Sequence, residues 1–203
     1  MLELEKMLQG KIYNPNDEEI LSLRNKAHSL CARFNKIEDD NDINRKLIID
    51  ELIPHNDNLY LQGPIYFDYG INTHFGKNCY ANFNFTVLDI CLINIGDNVF
   101  FGPNCTLAGA NHSLIGEERR MFVKDNVLQD LEYGKEIKIG NDCWICSNVV
   151  IIGGVSIGDN VVIAAGSVVT CDIPSNSLAA GNPCKVIRNI TKEDSIYLKK
   201  ELF

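Results

Sequence analysis

Histidine is the side chain best suited to moving protons near neutral pH, and this chain has four: His28, His55, His74 and His112. His28 falls in a stretch with helical spacing and His55 follows Pro54 in a connection, so both read as ordinary surface residues. His74 precedes an aromatic residue of a repeat and is expected to face solvent or a subunit interface. His112 follows Gly109, Ala110 and Asn111, where a repeat stops and a long polar segment begins. A histidine there can project from a rigid edge beneath a flap, which suits a general base. Position alone leaves a plain surface role equally open. No convincing nucleophile stands beside it. Of eight cysteines, Cys143 and Cys146 form a lone CxxC, a spacing compatible with redox chemistry or half a metal site. The repeat favours packing instead, because it puts Cys143 at an inward position for a small side chain.

The element that must hold His112 is a repeat of six residues. Ile139, Ile145, Ile151, Ile157, Ile163 and Val169 recur at that spacing. Four residues after each come Cys143, Val149, Val155, Val161, Ser167 and Ile173, mostly small or β-branched. A helical face needs spacings of three and four, and turn residues recur too often for a hairpin meander. Six-residue units with one large inward aliphatic residue match a hexapeptide β-helix. A single coil cannot bury its own apolar row, so stacked neighbours supply the core. The same phase holds at Ile95, Phe101 and Leu107, with Val99 and Cys105 in the second inward slot. Phe75 and Ala81 are expected to begin the array, and a two-residue insertion near residues 89–92 shifts its phase. Residues 113–136 are polar, charged and off-period, and so long an excursion from a compact repeat is expected to be functional.

The flanks differ. Residues 17–37 carry apolar side chains on one helical face, with Asn16 or Asp17 as a cap and Glu18 and Glu19 in the first turn. A second helix is expected over residues 42–52, ending before Pro54, and a short terminal helix over 191–200. The chain thus divides into a helical segment (1–60), a β-helix (61–190) and a terminal helix (191–203). Its 203 residues, 45% hydrophobic and 23% charged, have the balance of a soluble globular protein. No apolar run approaches the roughly 20 residues that span a bilayer, so no membrane partner is expected. The N-terminus lacks the pattern of a signal peptide, and the expected location is cytoplasmic. A net charge of -8 argues against nucleic acid as a partner, but leaves room for an anionic small ligand held by a local group of cations.

Four stretches, 80–89 (YANFNFTVLD), 95–107 (IGDNVFFGPNCTL), 139–170 and 173–188 (ending GNPCKVIR), resemble the maltose and galactoside O-acetyltransferases of the hexapeptide-repeat superfamily. The N-terminal GKIYNPNDEEI resembles the helical segment that precedes the repeat in that family, so the likeness covers nearly the whole chain. It implies a left-handed parallel β-helix, a homotrimer with its sites between subunits, and acetyl-CoA as co-substrate with no metal. It also implies direct acetyl transfer to a hydroxyl, with His112 matching the catalytic base in an Asn111-His112-Ser113 setting rather than the usual Gly-His-Pro. Asn82 matches the asparagine that stabilises the tetrahedral intermediate. Glu132 matches a carboxylate that orients the histidine. Ser147 matches a backbone N–H donor to the thioester.

Acceptor contacts carry over to Asp68, Asn82 and Asp89. Pro15 stands where a substrate-contacting acid can occur, which makes Asp17 the neighbouring candidate. Ile90 replaces an acid of the galactoside-acetylating relatives and puts galactoside preference in question. CoA contacts carry over to Ser147, Ala165, Thr170, Cys171, Lys185 and Arg188, the two cations suiting phosphate groups. The rival readings are a related acyltransferase acting on a drug, serine or glycan, a zinc carbonic anhydrase and a non-catalytic scaffold. The second needs three converging histidines, and the array holds only His74 and His112.

Overall fold

The structure, a computed structural model, describes residues 1–39, 43–124 and 126–202. The hexapeptide period does build a left-handed parallel β-helix, of about six turns. Face 1 stacks Tyr60–Leu61, Tyr80–Ala81, Phe100–Phe101, Trp144–Ile145, Val162–Ile163 and Ser177–Ala180. Face 2 stacks Ile65–Phe67, Phe85–Leu88, Thr106–Ala108, Val150–Ile152 and Val168–Val169, and face 3 stacks Thr73–Phe75, Ile93–Ile95, Ile137–Ile139 and Ser156–Ile157. All these pairings are parallel, and the anchors read from sequence stack in register, Leu107 on Ile151 on Val169 for example. Their side chains point inward and are buried, as are Val99, Cys105, Cys143, Val149 and Ser167 in the second slot. Cys143 is therefore a packing residue, at 1% exposure. Ile173 differs from expectation: it pairs with Ile157 and takes the anchor position of the last turn, because the chain is two residues shorter there.

Two corners keep the six-residue step throughout, and the third does not. Leu61 to Phe67 (face 1 to face 2) and Phe75 to Ala81 (face 3 to face 1) are six apart, and so are their counterparts in later coils. Between faces 2 and 3 the step is eight from Phe67 to Phe75 and from Val87 to Ile95, and thirty-two from Leu107 to Ile139. It then falls to six from Ile151 to Ile157 and four from Val169 to Ile173. The insertion read near residues 89–92 lies at this corner.

The constant corners are built from asparagine. Asn78, Asn98 and Asn160 at one corner, and Asn84, Asn104 and Asn148 at the other, adopt positive φ, which asparagine tolerates better than other side-chain-bearing residues. Their amides bond along the stack, Asn84 to Asn104 at 2.8 Å and Asn104 to Asn148 at 3.1 Å. Coils approach so closely at the first of these corners that a Cβ on Gly96 would stand 2.6 Å from Asn141 Oδ1 and 2.8 Å from the Gly140 carbonyl carbon.

Among the described residues three α-helices precede the coils: α1 (Glu3–Leu8), α2 (Glu18–Phe34) and α3 (Ile43–Leu52). The expected first residue of α3, Asp42, lies outside the described residues. Ala27, Leu30 and Phe34 of α2 and Ile48, Ile49 and Leu52 of α3 share one apolar core with the β-helix. The Asn35 side-chain amide bonds both the N–H and the C=O of Ile65, so a side chain satisfies backbone groups at the edge of face 2. At the other end Lys185–Asn189 folds back antiparallel on Ser177–Ala180. The expected terminal helix is not formed. Three 3₁₀ turns, Lys192–Asp194, Ile196–Leu198 and Lys200–Leu202, stand in its place. Extended backbone at Ser195 (ψ 129°) breaks the helical run. Among the described residues no helix is long and apolar enough to cross a membrane.

Candidate active site

His112 emerges from the variable corner. Face 2 ends at Ala108, and the chain then forms Ala110–Asn111, which pairs antiparallel with Tyr133–Gly134 at the base of the excursion. The excursion is not the loop its off-period sequence suggests: Phe122–Lys124 and Val127–Gln129 form a hairpin. The base of the excursion carries Glu132 back beside His112, with Glu132 Oε1 3.6 Å from His112 Nε2. The imidazole is 47% exposed and the carboxylate 15%. Burial raises the carboxylate's pKa above the ordinary range, and Asp68 and Asp130 add to this, while the Tyr13 hydrogen bond and His112 oppose it. A half-exposed imidazole backed by a half-dry carboxylate can take a proton and have the resulting charge balanced.

Asp68 lies at the end of the first face 2 strand. Burial raises its pKa, against His28 and Arg24, which lower it. His28 Nε2 is 3.6 Å from Asp68 Oδ1, so this histidine is exposed but partnered, beyond the surface role read from sequence. Both line a largely apolar cavity of about 370 Å³ between α2 and face 2. Asp89 sits behind this wall, fully buried. Its carboxylate accepts from the Tyr69 N–H at 2.8 Å and the Thr73 hydroxyl at 2.9 Å. Asp17 is the N-cap of α2, its Oδ1 accepting from the N–H groups of Glu19 and Ile20. Ile90 is buried in a small apolar cluster with Met7, Tyr13, Ile20 and Tyr69.

Asn82 is elsewhere, at the corner between faces 1 and 2. Its Oδ1 accepts from the Phe83 N–H at 2.8 Å, and its NH₂ group has no partner among the described residues. It lines an open cleft with Tyr80, Phe100 and Trp144, whose rings stand one above another on the outside of face 1. Ser147 is at the same corner as Asn82, two coils further on, and its N–H has no acceptor among the described residues. Ala165, Thr170, Cys171, Lys185 and Arg188 are all exposed. Arg188 is committed to Asp194 by two hydrogen bonds of 2.6 and 2.8 Å, whereas Lys185 has no ion pair among the described residues. Arg188 in turn holds the Asp194 carboxyl down at about 2. His74 is half-buried with its ring 4.2 Å from that of His55.

The structure therefore brings His112, Glu132 and Asp68 to one corner and puts Asn82 and Ser147 at another. Tyr13 was missed by the sequence reading: it joins Glu132 across 119 positions, a link that no local spacing signals.

Comparison with known proteins finds relatives over nearly the whole chain. The profile described as "Maltose acetyltransferase hexapeptide capping motif" matches residues 6–55. "Bacterial transferase hexapeptide (six repeats)" matches 136–171, and "Hexapeptide repeat of succinyl-transferase" matches 92–111. The galactoside O-acetyltransferase of Escherichia coli K12 is 40% identical over 97% of this chain and 94% of its own. The crystal structure of a maltose O-acetyltransferase from Clostridium difficile 630 is 41% identical, with a TM-score of 0.86 over 95% of this chain and 99% of that one. A galactoside acetyltransferase in complex with coenzyme A is also 41% identical, with a TM-score of 0.87 over 96% and 94%.

Proposed function

The chain belongs to the maltose and galactoside O-acetyltransferase family of hexapeptide-repeat enzymes, and on that premise we propose that it transfers acetyl from acetyl-CoA to a hydroxyl of a sugar, with His112 as general base. The observation that carries this reading is the pairing of His112 with Glu132 at the mouth of the variable corner. The imidazole takes the proton of the acceptor hydroxyl as its oxygen attacks the thioester carbonyl. The tetrahedral intermediate then collapses, the C–S bond breaks, and the leaving thiolate takes the proton back from the imidazolium. No acyl-enzyme forms. The NH₂ group of Asn82 and the N–H of Ser147, neither with a partner among the described residues, supply donors to the developing oxyanion.

Those donors and His112 occupy different corners of one chain, so the site is read as shared between subunits of a homotrimer. The exposed rings of Phe100 (51%) and Trp144 (54%) give face 1 an apolar surface suited to a partner. Lys185, exposed and without an ion pair among the described residues, is read as the cation for a CoA phosphate. Ile90 offers the acceptor no hydrogen bond where galactoside-acetylating relatives carry an acid, which puts galactoside preference in question. The enzyme is read as cytoplasmic, its eight cysteines remaining free thiols.

The test is release of free CoA thiol with a panel of sugars, serine, drug and glycan acceptors, for wild type and His112→Ala, alongside sedimentation. Sugar-dependent release that falls about 100- to 10,000-fold in the variant is expected, from a trimer. Near-normal turnover by His112→Ala overturns the general-base reading. A fully active monomer overturns the shared site, and preference for a non-sugar hydroxyl overturns the acceptor class.

A further inference from the structure

Tyr13 lies in the connection between α1 and α2, far from His112 in sequence, yet it is bound to Glu132 twice. The two residues form an antiparallel bridge, Tyr13 N–H to Glu132 C=O at 3.0 Å and Glu132 N–H to Tyr13 C=O at 3.3 Å. The Tyr13 hydroxyl also donates to Glu132 Oε2 at 2.5 Å. Its ring is 1% exposed and packs among Met7, Ile20, Tyr69 and Ile90. The carboxylate is thus divided, with Oε2 held by Tyr13 and Oε1 facing His112.

We propose that Tyr13 is a positioning residue, fixing Glu132 so that Oε1 is directed at His112 and so making the N-terminal helical segment part of the catalytic apparatus. The inference rests on the general-base reading of His112. A carboxylate with one oxygen pinned cannot rotate away from the imidazole, and its charge is available when the imidazolium forms. Without the phenol, Oε2 loses the hydroxyl that donates to it, and the ionised form of Glu132 loses a hydrogen bond that favours it.

The consequence depends on pH. Glu132 faces His112 and Tyr13, which favour its charge, and Asp68 and Asp130, which oppose it. Arg24 of α2 acts on the neighbouring Asp68 and Tyr69. Burial already raises the Glu132 pKa, and loss of the phenol raises it further. The carboxyl then ionises at a higher pH, and the acid limb of activity moves up with it. Above that limb Glu132 is charged again and the deficit narrows.

The experiment is kcat against pH, with KM for acetyl-CoA and thermal unfolding, for wild type, Tyr13→Phe, Glu132→Gln and His112→Ala. Tyr13→Phe keeps the ring that fills the apolar cluster. It should lower kcat on the order of 10-fold near neutrality, leave KM for acetyl-CoA unchanged and recover in part at high pH. Glu132→Gln, which leaves Tyr13 in place and cannot ionise, should show a deficit that does not recover with pH. If His112→Ala is inactive while Tyr13→Phe follows the wild-type profile, the positioning role fails alone. A loss in Tyr13→Phe that is equal at all pH values and accompanied by a lowered Tm marks a structural role and overturns the proposal. Near-normal turnover by His112→Ala removes the general-base reading on which it rests.

Discussion

Two corners of the β-helix keep one length from the first coil to the last, while the third has steps of eight, thirty-two, six and four residues. The constant corners are held by asparagine ladders and by glycine where coils nearly touch. An added residue there would break a ladder that ties three or more successive coils together. The variable corner has no such ladder. A chain can leave and return there at a small cost in loop-closure entropy, and there His112, Glu132, Asp68 and Asp89 stand. Regular stacking supplies stability, and the corner it leaves unconstrained supplies chemistry.

A pair of variants should separate the two most strongly. Ile151 is fully buried, stacked between Leu107 and Val169 on face 2. Ile151→Ala should cost about 2–5 kcal/mol of stability while folded molecules keep normal kcat. His112→Ala, at the half-exposed edge, should do the reverse and leave the midpoint of urea unfolding unchanged. Denaturation and kcat measured on both variants check this. A His112→Ala protein as unstable as Ile151→Ala would mean that the edge histidine is a packing residue and the comparison is false.

The same contrast explains what was legible in the sequence. The coils were readable because a period of six repeats one physical requirement, an inward aliphatic residue at each side. The excursion showed as a break in that period, which located His112 without giving its surroundings. Its hairpin escaped because Phe122, Val123 and Leu128 are exposed and obey no burial period. Tyr13 escaped because its partner is brought near only by the tertiary fold. The terminal helix was misread because residues 191–200 carry a helix-like composition with no packed face to enforce it: every residue of its 3₁₀ turns is free of the core. Asp68 and Glu132 rested on family likeness, since a lone carboxylate in a polar stretch has no distinguishing pattern.

A smaller effect tests the contrast among the cations. Lys185 has no ion pair among the described residues, and Arg188 is already engaged by Asp194. Lys185→Ala should raise KM for acetyl-CoA by the loss of a charge-assisted contact, about 1–3 kcal/mol. Arg188→Ala should raise it less. The opposite order in steady-state kinetics would show that the Arg188–Asp194 pair opens to take the ligand and that Lys185 is a solvated surface residue.

A last effect concerns Asp89, whose place at the variable corner is structural in form. It is fully buried, and burial pushes its carboxyl up to about 7, against the bonds from Tyr69 and Thr73, with Asp68 adding to the rise. An unfolded aspartate ionises near 3.9. Below about pH 4 both states hold the proton, and the native state keeps the full benefit. Between about 4 and 7 the unfolded chain gives up a proton that the native corner retains, so stability falls as pH rises, and it levels off above about 7. Asp89→Asn should remove this slope with little other change. Its carbonyl can still accept from the Tyr69 N–H, and the Thr73 hydroxyl can turn from donor to acceptor for the amide. Urea midpoints at pH 5 and pH 8 for both proteins measure it: wild type should lose more stability across the interval than the variant. Equal losses would mean that Asp89 is charged in the folded protein at pH 5. A buried charge at this corner would mean that the bonds from the Tyr69 N–H and the Thr73 hydroxyl outweigh the cost of burying it, so that these two donors, and not protonation, keep the wall of the corner in place.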